Sequence, residues 1–266
     1  MTEVASCLLV CSVALVVAGL TFFSGFGLGT LLMPAFAAFF PLPVAVAATA
    51  VVHLANSLFK LALVGRHAHW PTVLAYGIPA SVGAILGAIA LEAVAHIEPI
   101  ATYPIAGRTA EVTAIKLVVG VVIAAFAVLE LWPGFERVAF SRRLLWIGGL
   151  VSGFFGGLSG HQGALRSAFL LRAGLTKEAL IGTRVVGAVI VDVSRLLVYG
   201  IAIGAAELHT LRQGGGIGLV IAATLAAFVG TFAGSRLIKS ITLPALRRFI
   251  GTALLVLAAA LIAGWI

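Results

Sequence analysis

Apolar residues in this chain gather in long runs, and a run of ~20 such residues at helical rise is what crosses the hydrocarbon of a bilayer. The runs lie at 6 to 40, 41 to 64, 72 to 92, 114 to 132, 143 to 171, 178 to 201, 214 to 235 and 243 to 265. Two of them are broken. Run 6 to 40 is too long for one crossing and is interrupted by SGFGLG at Ser24 to Gly29, and run 143 to 171 is interrupted by GGLSGHQG at Gly156 to Gly163. Irregular backbone at membrane depth must be enclosed by protein or line a cavity, so each broken run is expected to be a helical hairpin folded at its glycines.

The polar positions between the runs set the topology. If each hairpin returns to its own side and each remaining run crosses once, one side holds Arg66, Arg137, Arg142, Arg143, Arg172, Lys177, Arg236, Lys239, Arg247 and Arg248. The opposite loops hold only Arg108 and Arg212. Basic residues are retained on the cytoplasmic side, which places both termini outside. Each half is then one hairpin plus three crossings, an odd number, so the second half is expected to be inverted relative to the first. A shift of 134 positions superposes Gly19 on Gly153, Gly29 on Gly163 and Thr49 on Thr183, in keeping with repeats at about 6 to 132 and 143 to 265. The fold class expected is an all-α integral membrane protein, one transporter domain over 1 to 266, with substrate held between the halves as in other inverted-repeat carriers.

Composition sharpens this. With 62% hydrophobic and 10% charged residues and a mean hydropathy of +1.19, the chain takes lipid as its solvent and is expected to be a multi-pass membrane protein. The net charge of +8 is spread over the ends of runs, the pattern of topology signals, and no nucleic-acid partner is expected. Cys7 and Cys11 stand in the first run and form neither a disulfide framework nor a metal spacing. The first twenty residues carry Glu3 and no Lys or Arg, and they read as a retained membrane element rather than a signal peptide.

Candidate chemistry lies where polar groups interrupt the apolar runs. A helix is expected to begin near Gly163, just after His161 and Gln162, and to carry Arg166 and Ser167. Gly27 and Gly29 offer the same arrangement in the first half, and two facing helix N-termini would supply unpaired N–H donors to an anion. Run 178 to 201 holds Thr183, Arg184, Asp192 and Arg195. Charges there cost about 2.5–3.5 kcal/mol each on insertion and normally face an interior cavity. Asp192 stands three residues before Arg195 and can pair with it, and it is the candidate proton relay. Arg184 is either a ligand or an anchor reaching to the interface. His53, Asn56 and Lys60 share a face of run 41 to 64, with His53 and Asn56 open to binding or packing and Lys60 reading as an anchor. No Walker loop, nucleophile elbow, carboxylate pair or His/Cys ligand cluster is present, so no enzyme activity, cofactor or metal is expected.

The stretch GFGLGTLLMP (Gly25 to Pro34) and the segment GGLSGHQGALRSAFLL (Gly156 to Leu171) resemble the two glycine motifs of the TauE/SafE sulfite exporter family, and Thr183–Arg184 with VDVSR (Val191 to Arg195) is similar to one subgroup. The second motif carries His161 and Gln162 where the family often has glycines, and Ala168 where the first half has Pro34. The resemblance implies a multi-pass secondary permease of the cell inner membrane for sulfite, thiosulfate or organosulfonates, with proton coupling. Its expected partners are a small anionic substrate, membrane lipid and a second copy in a homodimer. An anion channel and a non-transporting membrane assembly subunit are the alternatives, and the segment Glu98 to Glu111 is the external loop with room for a contact or lid.

Overall fold

In the computed structural model the described residues are 3–22, 27–105, 108–135, 138–202, 215–237 and 243–266. The loop positions Ser24, Gly25, Arg137, Arg212 and Lys239 lie outside them. The first broken run forms α1 (Glu3–Leu20) and α2 (Leu28–Ala37), and the second forms α6 (Leu145–Ser159) and α7 (Gly163–Leu170). The intact runs form α3 (Leu42–Val64), α4 (Trp70–Ala95), α5 (Ala114–Leu131), α8 (Lys177–Ala202), α9 (Gly216–Leu237) and α10 (Leu243–Ile262). Five of them, α3, α4, α5, α8 and α9, are long and apolar enough to cross a membrane. The chain is an all-α membrane protein, and the strands among its described residues are those of a short antiparallel hairpin, β1 (Ala101–Ile105) and β2 (Arg108–Val112).

Tight helix contacts follow from small side chains, because apolar burial gives helices no reason to associate in lipid and close backbone approach must supply the attraction. A Cβ on Gly149, Gly153 or Gly157 of α6 would strike the carbonyls of Tyr76, Ala80 and Ala84 in α4, and Gly83 and Gly87 of α4 meet Leu150 and Phe154 in return. In the matching contact Gly230 and Gly234 of α9 meet Leu15 and Gly19 of α1. Both pairs run parallel, since rising numbers meet rising numbers. By the same test α5 and α10 run antiparallel, Gly120 lying at Ile262 and Gly251 at Leu131, and so do α3 and α8, where His53 meets Asp192 and Gly182 meets Val64. Each hairpin therefore packs on the second crossing of the other half.

The same contacts fix hairpin depth. Leu158 lies against Gly87, the eighteenth residue of the 26-residue α4, which at 1.5 Å rise is about 26 Å along a helix of about 39 Å. Gly19 likewise reaches Gly234, the nineteenth of the 22 residues of α9. Both hairpins pass the midpoint of the bundle. They turn at left-handed or otherwise special backbone: Gly27 has φ 117° and Gly160 has φ 81°. A Cβ on Gly27 would also sit 2.6 Å from Thr21 Cγ2.

The segment expected to be an external loop is the β-hairpin, and it is tied down. The Glu111 amide donates to Gly264 O (3.3 Å), Tyr103 Oη donates to Ala263 O, and Trp265 Nε1 donates to Tyr103 Oη (3.1 Å).

Candidate functional site: a cationic cavity beside a buried ion triad

Asp192 is fully buried in the middle of α8. Its Oδ1 accepts from Arg195 Nε (3.1 Å) and Nη2 (2.8 Å), the pairing expected from the three-residue spacing. Its Oδ2 lies 2.5 Å from His53 Nδ1 of α3, a partner the sequence did not reveal because the two residues are 139 positions apart. Arg195 Nη1 donates to Gly156 O (3.3 Å) in α6, so the triad joins α3, α8 and the second hairpin. Both carboxylate oxygens of Asp192, the expected proton relay, are thus taken.

Beside the triad a cavity is lined by Thr21, Phe22 and Leu28 of the first hairpin, His53, Ser57 and Lys60 of α3, Arg166 of α7, and Ile181, Arg184, Val185 and Ala188 of α8. Its volume is about 30 Å³. A single water requires ~10–15 Å³, so the space takes a couple of waters or one small oxyanion in their place. Three cations border it and, among the described residues, no Asp or Glu does. Arg166 is 2% exposed, with Nη1 donating to Gln162 Oε1 (3.1 Å), and Arg184 Nε has no hydrogen-bond partner among the described residues. Lys60 Nζ stands 5.8 Å from the centroid of the Phe22 ring, a cation–π contact that closes one wall.

The expected site residues divide accordingly. His53, Arg166 and Arg184 line the cavity. Gln162 reaches it through Arg166, and Arg195 backs it through Asp192. A Cβ on Gly29 would lie 3.4 Å from the His53 ring and 3.6 Å from the Gly160 carbonyl, where the two tips meet, and Gly27 caps α2. Three others serve packing. Asn56 Oδ1 accepts from Thr231 of α9 (2.7 Å), Thr183 Oγ1 accepts the His69 amide (3.0 Å), and Ser167 Oγ donates to Gly163 O (2.8 Å) within its own helix. Gly163 and His161 lie on the far face of the tip, in a cleft of about 10 Å³ that they share with Thr30, Phe126, Glu130, Ala164, Ile250 and Leu254. Of the two helix starts expected to face an anion together, α2 reaches the cavity through Leu28 and α7 through the Arg166 side chain, while Gly163 lines the other cleft.

Lys60, Thr21, Ser57 and Glu130 were not among the expected site residues. Lys60 carried a signal, its place one face and two turns from His53, but its nearness to the helix end pointed to an anchor. A cleft of about 510 Å³ between α1, α2 and α10 is larger, yet it is lined by residues such as Leu9, Val16, Leu31, Pro34 and Phe249, of which Leu9, Val16 and Phe249 are exposed. Ser12 is the one polar side chain among its described lining residues, and no cation borders it.

The model of the family described as "Sulfite exporter TauE/SafE" matches residues 9–261 of this sequence. The chain belongs to the TauE/SafE family. It is a multi-pass membrane protein of a family of transporters for sulfite and related sulfur compounds, and Gly27 and Gly160 of the glycine motifs quoted above fall at the tips of its two TauE/SafE hairpins. No curated protein and no solved structure matches it.

Proposed function

We propose that this protein is a secondary carrier that exports a small sulfur-containing anion, sulfite, thiosulfate or a compact organosulfonate, across the inner membrane in a proton-linked cycle. The observation that carries this reading is the cavity bordered by Lys60, Arg166 and Arg184 without a carboxylate among the described residues. Three cations placed at membrane depth repel one another and are costly to bury. A small oxyanion supplies the missing negative charge, and guanidinium groups match its geometry in bidentate fashion.

The alternation of access follows from the two halves, which we take to be inverted repeats with both termini outside. The antiparallel course of the corresponding helices α3 and α8, and of α5 and α10, supports that relation. In it, each tip carries part of the cavity wall, and rocking of one half against the other exposes the anion to alternate sides.

The test is flux of labelled sulfite, thiosulfate and a graded series of organosulfonates in proteoliposomes holding the purified chain. Saturable flux with counter-exchange, falling as the sulfonate grows, supports the carrier. Flux that neither saturates nor exchanges replaces it with an anion channel. Absence of any anion flux, with the protein folded, removes the transport reading in favour of an assembly subunit.

A further inference from the structure

Gln162 occupies the break between the two helices of the second hairpin, as the N-cap residue of α7. It is 2% exposed and is not among the described residues that line the cation cavity. Its side chain lies against Gly156 of α6, with Cβ and Cδ at 3.1 and 3.3 Å from where a side chain on that glycine would begin. Arg166 Nη1, one helical turn on, donates to its Oε1 (3.1 Å). A guanidinium only donates, so the amide oxygen must face Arg166 and the amide nitrogen must turn away. That nitrogen is buried and has no hydrogen-bond partner among the described residues.

By stability alone the position favours a glutamate. Arg195 also stands close by, since its Nη1 donates to the carbonyl of the same Gly156, and its charge is matched by Asp192. A carboxylate of the same length would accept from Arg166 with a full charge, and no buried N–H group would be left without an acceptor. Buried polar groups that go unsatisfied concentrate where function overrides packing. Glutamine and glutamate differ here by one negative charge, and that is the charge the cavity lacks. Lys60, Arg166 and Arg184 border it, and no Asp or Glu does among its described lining residues.

We propose that Gln162 is a neutral positioning residue of the anion site: it aims the Arg166 guanidinium into the cavity and, carrying no charge, leaves that cation for the substrate to neutralise. The inference rests on the carrier reading and adds how the affinity of the site is set. A carboxylate at 162 would form a permanent ion pair with Arg166, a tethered competitor at an effective concentration that free sulfite does not reach. An apolar side chain there would keep the charge and lose the aim. A glycine, which the family often has at this place, offers no side chain to hold Arg166 at all, so the device belongs to this chain's own version of the motif.

The test compares Gln162→Glu and Gln162→Met with wild type, each as the full purified chain, in sulfite counterflow and in melting with and without sulfite. Gln162→Glu is expected to raise the half-saturating sulfite concentration about tenfold or more while melting no lower than wild type. It is also expected to lose the rise in melting midpoint that bound sulfite gives to wild type. Gln162→Met is expected to raise half-saturation about three- to fivefold and to keep part of the sulfite-induced rise. A merely structural role would instead lose affinity and stability together. Half-saturation of Gln162→Glu within about twofold of wild type, an equal rise in the two variants, or a Gln162→Glu chain that fails to fold overturns the charge argument. Unchanged half-saturation in Gln162→Met overturns the positioning of Arg166. If sulfite stabilises wild type but is not moved by it, the carrier reading falls and the melting comparison alone decides the site. A wild type that sulfite neither stabilises nor crosses overturns both.

Discussion

At the scale of single residues, the described interior is organised by where its charges are matched. Asp192 is matched twice, by His53 and Arg195, and the three together tie α3, α8 and α6. Removing one partner of a buried pair strands the other, at a cost of ~3–5 kcal/mol, whereas replacing both with apolar residues of similar size is much less harmful. Asp192→Leu is therefore expected to lower the thermal midpoint in detergent sharply, and Asp192→Leu/Arg195→Leu to recover part of the loss. A double variant no more stable than the single one would show that the pair is not the unit. Arg184 and Lys60, by contrast, face the cavity with no carboxylate among its described lining residues. Arg184→Gln and Lys60→Met are expected to melt within a few degrees of wild type and to lower sulfite flux at least tenfold, because they remove field at the anion and leave the triad intact. Their mirror-image behaviour, tested by melting and flux on the same preparations, distinguishes a binding role from a structural one. The sequence disclosed the charges but not this division. Lys60 sits close enough to its helix end to pass for an anchor.

At the scale of elements, the glycines separate into turns and contact faces. Gly153 is pressed against the Ala80 backbone, whereas a Cβ at Gly218 would meet nothing within 4 Å. Gly153→Leu is expected to abolish folded protein, as seen by size-exclusion profile, and Gly218→Leu to leave it unchanged. Loss of both would mean that glycine content, rather than the α4–α6 contact, is what the membrane insertion requires. Gly27→Ala combines a φ of 117° with a 2.6 Å approach to Thr21. It should destabilise by roughly 1–3 kcal/mol, read as a drop in melting midpoint. The element boundaries were legible because breaks in a spanning run can only be glycine-rich turns, and SGFGLG and GGLSGHQG mark them. Depth was not legible, since it is set by which carbonyls the glycine faces meet in a helix far away in sequence. The β-hairpin was also missed: ATYPI and RTAEV are short and polar enough to read as loop, and their pairing is held by contacts with Ala263, Gly264 and Trp265 at the other end of the chain.

At the scale of the whole molecule, the two halves are interlocked rather than docked, because α1 packs on α9 and α6 packs on α4. Residues 1–137 and 138–266 expressed separately are expected to be degraded, and expressed together to restore a complex that co-purifies and melts as one unit. Survival of either piece alone would argue against the exchange. The interlock also bears on how the protein is made. The parallel partner of α1 is not complete until Leu237 has been synthesised, some two hundred residues after α1 itself. At about 5–20 residues per second that is roughly 10–40 s. Throughout this interval Gly19 and its neighbours wait in the membrane beside lipid or the insertion machinery, open to any small-residue face that drifts past. The last crossings of the nascent chain are what release the first from that exposure, so a ribosome stalled before α9 leaves behind a protein whose opening hairpin has nowhere to rest.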